Sequence, residues 1–136
     1  MTITANTLRG SRLFERSHVN GGPEWFGYIL QCEEFPRLSR LDRYARRDRS
    51  VSSTWRVDGE DVDNLDHAAE RLNIPPALTD DEIAVLRRVT DEWQDLRFEG
   101  ITAQLVAISW KGVIEFETGR CRLSPLGRRT LAEQAR

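Results

Sequence analysis

The chain has 136 residues, 20 of them basic and 22 acidic, with 39% hydrophobic residues and a formal net charge of −2. That balance excludes a broad polycation that coats nucleic acid through charge alone, and equally an acidic tail protein. The longest apolar runs, residues 83–86 and 105–108, are far short of the roughly 20 residues a membrane span needs, and no apolar signal core opens the chain, so a cytoplasmic protein of one compact domain or two very small ones is expected.

Residues 1–10 begin small and polar and are expected to form a flexible N-terminus. A weakly patterned strand over 11–19 runs into a break at Gly21-Gly22-Pro23. Residues 24–31 read as a strand, with Phe26, Tyr28 and Leu30 on one face and Trp25, Gly27 and Ile29 on the other. Apolar groups on both faces point to a covered strand, not an edge. Residues 37–49 carry six arginines and two aspartates. Leu38, Leu41 and Tyr44 or Ala45 recur near helical spacing, while 42–47 reads equally as a strand; both assignments stay open. Residues 51–57 form a clearer strand, ended by the Asp58-Gly59 turn.

Val62, Leu65, Ala68 or Ala69, and Leu72 fall at helical spacing, with Asp61 or Asp63 as the cap and Asn73 and Pro75-Pro76 as the stop. Thr79 and Glu82 form a capping box, flanked by Leu78 and Ile83 as a hydrophobic staple. The stripe Ile83, Leu86, Val89 or Thr90, Trp93 and Leu96 predicts one helix up to the interruption at Glu99-Gly100. A further helix runs from Thr102 through Trp110 and closes at Gly112. Residues 113–124 read as a hairpin over Thr118-Gly119. Its register sets Ile114 against Leu123, Phe116 against Cys121, Glu115 against Arg122 and Glu117 against Arg120, and both polar pairs then carry opposite charges. Ser124 and Pro125 start a last helix. The expected fold class is α+β: an N-terminal α+β part over 11–78 that holds a small antiparallel sheet, and a C-terminal helical, winged-helix-like unit over 79–136 with a wing-like β-hairpin.

Cys32 and Cys121 form no framework of disulfides and are expected to be reduced and partly buried. His18 and His67 have no ligand at metal spacing and no Gly-x-Ser-x-Gly nucleophile near them, so no metal, cofactor or catalytic residue is expected. The basic residues are 19 arginines and one lysine, Lys111, which follows Trp110 and precedes Gly112, so there is no P-loop.

The apolar helix ending Trp110-Lys111-Gly112, the hairpin Val113-Ile114-Glu115-Phe116 and the exit from Arg120 to Arg128 resemble the winged-helix family. The resemblance lies within residues 79–133, and its specific part is about 15 residues. It implies a helix in the DNA major groove and a wing on the backbone or minor groove. The candidate contacts there are Lys111, Arg120, Arg122, Arg128 and Arg129. That helix offers Thr102, Gln104, Ser109 and Lys111 and no arginine, so any DNA contact is expected to be weak and mainly electrostatic. The second candidate surface is the strip Arg37, Arg40, Arg43, Arg46, Arg47 and Arg49, with Tyr44 interleaved. Its competing role is to pair with the five acids among residues 58–66. The four tryptophans are expected in the core.

Two functions follow. One is a small non-enzymatic regulatory or accessory protein that binds DNA through the winged-helix-like unit and the arginine strip. The other is a protein-interaction module, of the kind phages and mobile elements use as accessory factors, or a homodimer, with no nucleic acid bound. An exposed apolar patch around Leu105, Ile108 and Trp110 would favour the second.

Overall fold

A computed structural model describes residues 2–95, 102–117 and 119–134. The chain is α+β and divides into two units, Met1–Pro75 and Pro76–Arg136.

In the first unit, strands β1 (Leu13–Asn20), β2 (Trp25–Cys32), β3 (Leu38–Ala45), β4 (Val51–Val57) and β5 (Glu60–Asp61) form an antiparallel sheet in that order. The arginine-rich segment is therefore mostly a strand. Its residues from Ser39 to Tyr44 pair with β2 on one side and β4 on the other, a ladder that a helix here would leave open. The helical spacing of Leu38 and Leu41 is incidental: alternation sends them to opposite faces, and both are buried. The β1–β2 turn uses Gly22 at φ +89°, where a side chain would be strained. β2 is an interior strand, although most of its large apolar side chains are only half-buried.

The N-terminal segment is not a flexible tail. Residues Ala5–Arg9 form helix α1, capped reciprocally by Thr4 and Thr7. Leu8, at 2% exposure, anchors it in the core. Helix α2 (Leu65–Leu72) begins at Asn64, whose side chain accepts the His67 amide, and not at Asp61 or Asp63. Leu8, Cys32, Leu38, Val57, Val62, Ala68, Ala69 and Leu72 make the core of this unit.

The second unit contains α3 (Asp80–Leu86), β6 (Gln94–Asp95), α4 (Thr102–Ser109), β7 (Ile114–Glu117), β8 (Arg120–Leu123) and α5 (Pro125–Gln134). The Thr79–Glu82 capping box is present in both directions. The helix it starts is shorter than the apolar stripe implies and stops at Leu86. Beyond it, the Thr90 amide donates to the Gln94 side chain and the Thr90 carbonyl accepts from the Leu123 amide, so the chain is drawn out to pair Gln94 with Cys121. Sheet pairing outweighs the helical periodicity here. Leu96, Glu99 and Gly100, the expected end of that helix, lie outside the described residues. The β7–β8 hairpin has the register expected from its charges at all four pairs. Ser124 starts α5, its hydroxyl oxygen accepting from the Gly127 amide. Gly127 lets the helix approach the segment that leads into β7: a Cβ there would collide with the Val113 carbonyl oxygen. Leu86, Val89, Leu105, Ile108, Val113, Ile114, Cys121 and Leu123 form the second core.

Candidate nucleic-acid interface

One face of the five-stranded sheet is divided lengthwise into three zones. By strand alternation it carries Leu13, Cys32, Leu38 and Val57 at one end, where they join α1 and α2 in the core. The middle mixes polar groups with Leu30 and Trp55, which flank Arg40 on the neighbouring strands. Arg40 donates from Nε and Nη2 to both oxygens of the buried Asp42, and the Ser53 hydroxyl donates to Asp42 Oδ1 at 2.7 Å. The Arg40 guanidinium also lies over Trp55, 5.4 Å from the ring centroid. This arrangement satisfies the buried carboxylate.

The far end is aromatic, with Phe26, Tyr28 and Tyr44 half-buried and His18 exposed. Phe26 pairs in register with Tyr44, and their rings are near-parallel, 5.3 Å apart at 11°. Tyr28 stands edge-on to both. The exposed His18 stacks on Phe26 at 6.3 Å and meets Tyr28 edge-on. Arg46 lies over Phe26 at 5.0 Å, with Nε donating to the Gly22 carbonyl and Nη2 reaching the Asn20 side-chain oxygen. Its hydrogen-bond partners there are neutral. Phe26, Tyr44, Ala45, Arg46 and Arg49 line a concavity of about 440 Å³, within the ~300–1,000 Å³ usual for ligand clefts. Arg49 holds φ +60° in the β3–β4 turn, where Asp48 accepts from the Ser50 amide and hydroxyl. Those two bonds hold the exposed Asp48 carboxyl below its ordinary range.

The strip of six arginines is thus not one surface. Arg37 is half-buried in a two-pronged pair with Asp58 and also donates to the carbonyls of Arg71 and Leu72 at the end of α2. Arg40 is held by Asp42. Arg43 is exposed on the opposite face, over Trp25 at 4.8 Å. Arg46 and Arg49 gather at the aromatic end, and Arg47 is exposed in the same turn. The expected pairing with the acids of 58–66 holds for Arg37 and Asp58. Glu60 and Asp61 pair instead with Arg71 and Arg56, and Asp63 lies beside His67.

In the second unit, Lys111 donates to Glu82 and to the Ala77 carbonyl. Burial alone would raise the Glu82 carboxyl, but the Thr79 amide and the Lys111 ammonium outweigh it and hold it below its ordinary range. Arg120 pairs with Glu117 and Arg122 with Glu115, and both guanidinium groups lie over Trp93, at 5.5 and 4.3 Å. Arg128 and Arg129 are exposed on α5, with Arg128 reaching the Leu123 carbonyl at 3.5 Å. Leu105 and Ile108 belong to the core and cannot form an exposed apolar patch with Trp110. α4 instead turns Ala103, Gln104, Val106 and Ala107 outward. The four tryptophans are half-buried and not in either core cluster, and Trp55 packs against the first.

Cys32 and Cys121 are both free and buried, and burial pushes both thiols up. Among the described residues no group of three or more His, Cys, Asp and Glu side chains is placed to hold a metal ion, and no helix is long and apolar enough to cross a membrane. No protein-family model, curated protein or solved structure matches this chain.

The shared face of Phe26 and Tyr28 is legible in the sequence, but its meeting with Tyr44 and His18 is not. The signal that finds it is the strand reading of 42–47, which turns the spacing of Tyr44 from Asp42 into a shared face.

Proposed function

We propose that this chain is a small cytoplasmic, non-enzymatic accessory protein that binds nucleic acid through the aromatic end of its N-terminal sheet. The single observation that carries the reading is the grouping of the Phe26 and Tyr44 rings with Arg46 and Arg49 around one concavity, with the His18 ring stacked on Phe26 beside it. Rings offer stacking surfaces and guanidinium groups offer phosphate contacts, the two chemistries that nucleic-acid surfaces combine. The winged-helix resemblance is carried into this proposal as architecture only. Among the described residues, the outward face of α4 has Gln104 as its one base-reading side chain, and the wing arginines already face carboxylates.

The test is a salt-titrated anisotropy measurement on one labelled sequence, as duplex and as single strand. Binding is expected to weaken linearly in log salt concentration. Arg46→Ala with Arg49→Ala should weaken it and reduce the salt slope by about one for each phosphate no longer neutralised. Arg120→Ala with Arg122→Ala should leave it unchanged. Absence of binding by either nucleic-acid form at low salt, or loss in the wing variant alone, overturns the reading. The second reading, a protein-interaction module, is favoured by the apolar outer face of α4, where Val106 is 41% exposed.

A further inference from the structure

The geometry points to single-stranded nucleic acid as the ligand of the aromatic face, with unpaired bases stacked on the Phe26–Tyr44 platform and phosphates on Arg46 and Arg49. The inference rests on the nucleic-acid reading and adds the strandedness.

Three features of the site favour a single strand. The first is that a duplex keeps its base faces inside its own stack, so a protein meets them only as edges in a groove. A surface that held a duplex by its phosphates would need the arginines and would gain nothing from flat rings. Here Phe26 and Tyr44 are near-parallel, and Tyr28 stands edge-on against both, which holds the two rings in place on the sheet. His18 adds a third ring, so the row crosses β1, β2 and β3.

The second feature is Arg46. Its planar guanidinium covers Phe26 and is tied to neutral oxygens of Gly22 and Asn20, not to a carboxylate. A base can stack on the outer face of that plane, or replace it over the ring while the guanidinium moves to a phosphate. Neither movement breaks an ion pair. The third feature is the concavity beside Tyr44, bounded by Arg46 and Arg49. An aromatic wall and two cationic edges match one nucleotide, with an apolar base and an anionic phosphate. Every base has a stacking face, so the platform is expected to accept both DNA and RNA and to read little sequence.

The experiment uses the full chain with fluorescein-labelled oligo-dT, oligo-rU and a DNA duplex of equal length at low salt. Both single strands should bind at least about tenfold more tightly than the duplex. Phe26→Leu and Tyr44→Leu keep apolar bulk and remove the ring; each should lower single-strand affinity by roughly five- to a hundredfold while leaving duplex affinity unchanged. Tyr44→Phe should retain binding. If the leucine variants do not fold by circular dichroism, the strand-to-duplex ratio of the unaltered protein decides. Equal affinity for duplex and single strands overturns the inference and leaves the nucleic-acid reading intact. Absence of binding by any oligonucleotide removes both, and directs attention to a protein as the occupant of the rings.

Discussion

Arg46 lies over Phe26 in the first unit and Arg122 over Trp93 in the second, at similar distances of 5.0 and 4.3 Å. The ring contact is alike, and what surrounds it is not. Arg122 donates to Glu115 at 2.7 Å and its neighbour Arg120 to Glu117 at 2.8 Å, so the wing presents two neutralised pairs on one indole. Arg46 is held by a carbonyl and an amide oxygen, and Arg49 beside it lines an open concavity. A phosphate approaching the wing meets carboxylates as well as cations, and approaching the sheet it meets guanidinium groups whose charge is unspent. Counting arginines along a sequence therefore misjudges both regions. The acids that cross-strand register sets beside each arginine decide what a ligand encounters.

The largest expected effect sharpens this contrast within the first unit itself. Arg37 and Asp58 are 12% and 8% exposed and joined by two bonds of 2.7 and 2.9 Å. Arg37→Ala leaves the Asp58 carboxylate buried and removes donors from the end of α2, so it should cost about 3–5 kcal/mol in a denaturant melt. Arg46→Ala, on an exposed side chain at the far end of β3, should change stability by less than about 0.5 kcal/mol. A melt in which the two variants behave alike would mean that the division of the strip into structural and ligand-facing arginines is wrong.

A middle-sized effect breaks the comparison from the other side. Thr79→Ala removes the oxygen that accepts the Glu82 amide and should cost about 0.5–2 kcal/mol, yet leave oligonucleotide binding by the folded protein unchanged. The same site sets a pH dependence. Glu82 has a folded value below its ordinary 4.5, so its contribution is complete above about pH 4.5 and is lost as pH falls through that lowered value. Glu82→Gln should flatten the acid limb of the stability profile. An unchanged acid limb in that variant would show that the carboxylate between Thr79 and Lys111 contributes nothing.

Legibility in the sequence followed the range of the interactions. The capping box at Thr79, the β4 strand and the β7–β8 register are set by neighbours a few residues apart, and they read correctly. Helix α1 did not, because its anchor is the burial of Leu8 among residues far along the chain, and nothing near Leu8 announces that. The stripe through Trp93 misled for the same reason: β8, more than twenty residues on, captures Gln94. At the candidate site the residue types were visible and their grouping was not. Phe26, Tyr28 and Tyr44 come together only when residues 37–49 are known to pair with β2, and the apolar and polar spacings there fit a helix as well.

The smallest expected effect has opposite signs on stability and binding. Arg49 occupies the left-handed region at φ +60°, where a Cβ costs about 1–2 kcal/mol. Glycine relieves that clash but brings a more flexible unfolded chain, worth roughly 0.5–1 kcal/mol in the other direction. Arg49→Gly should therefore raise stability slightly, by up to about 1 kcal/mol, while removing one cation from the concavity. Oligonucleotide affinity should fall and its salt slope should drop by about one. The wing has no counterpart to this trade, because Gly119 already fills the left-handed position of its turn at φ +73°. A variant that gains stability and keeps full affinity would show that Arg49 does not meet the ligand, and would leave Arg46 as the cation above the platform. One that loses stability would mean that the arginine side chain packs more tightly in the turn than its exposure indicates.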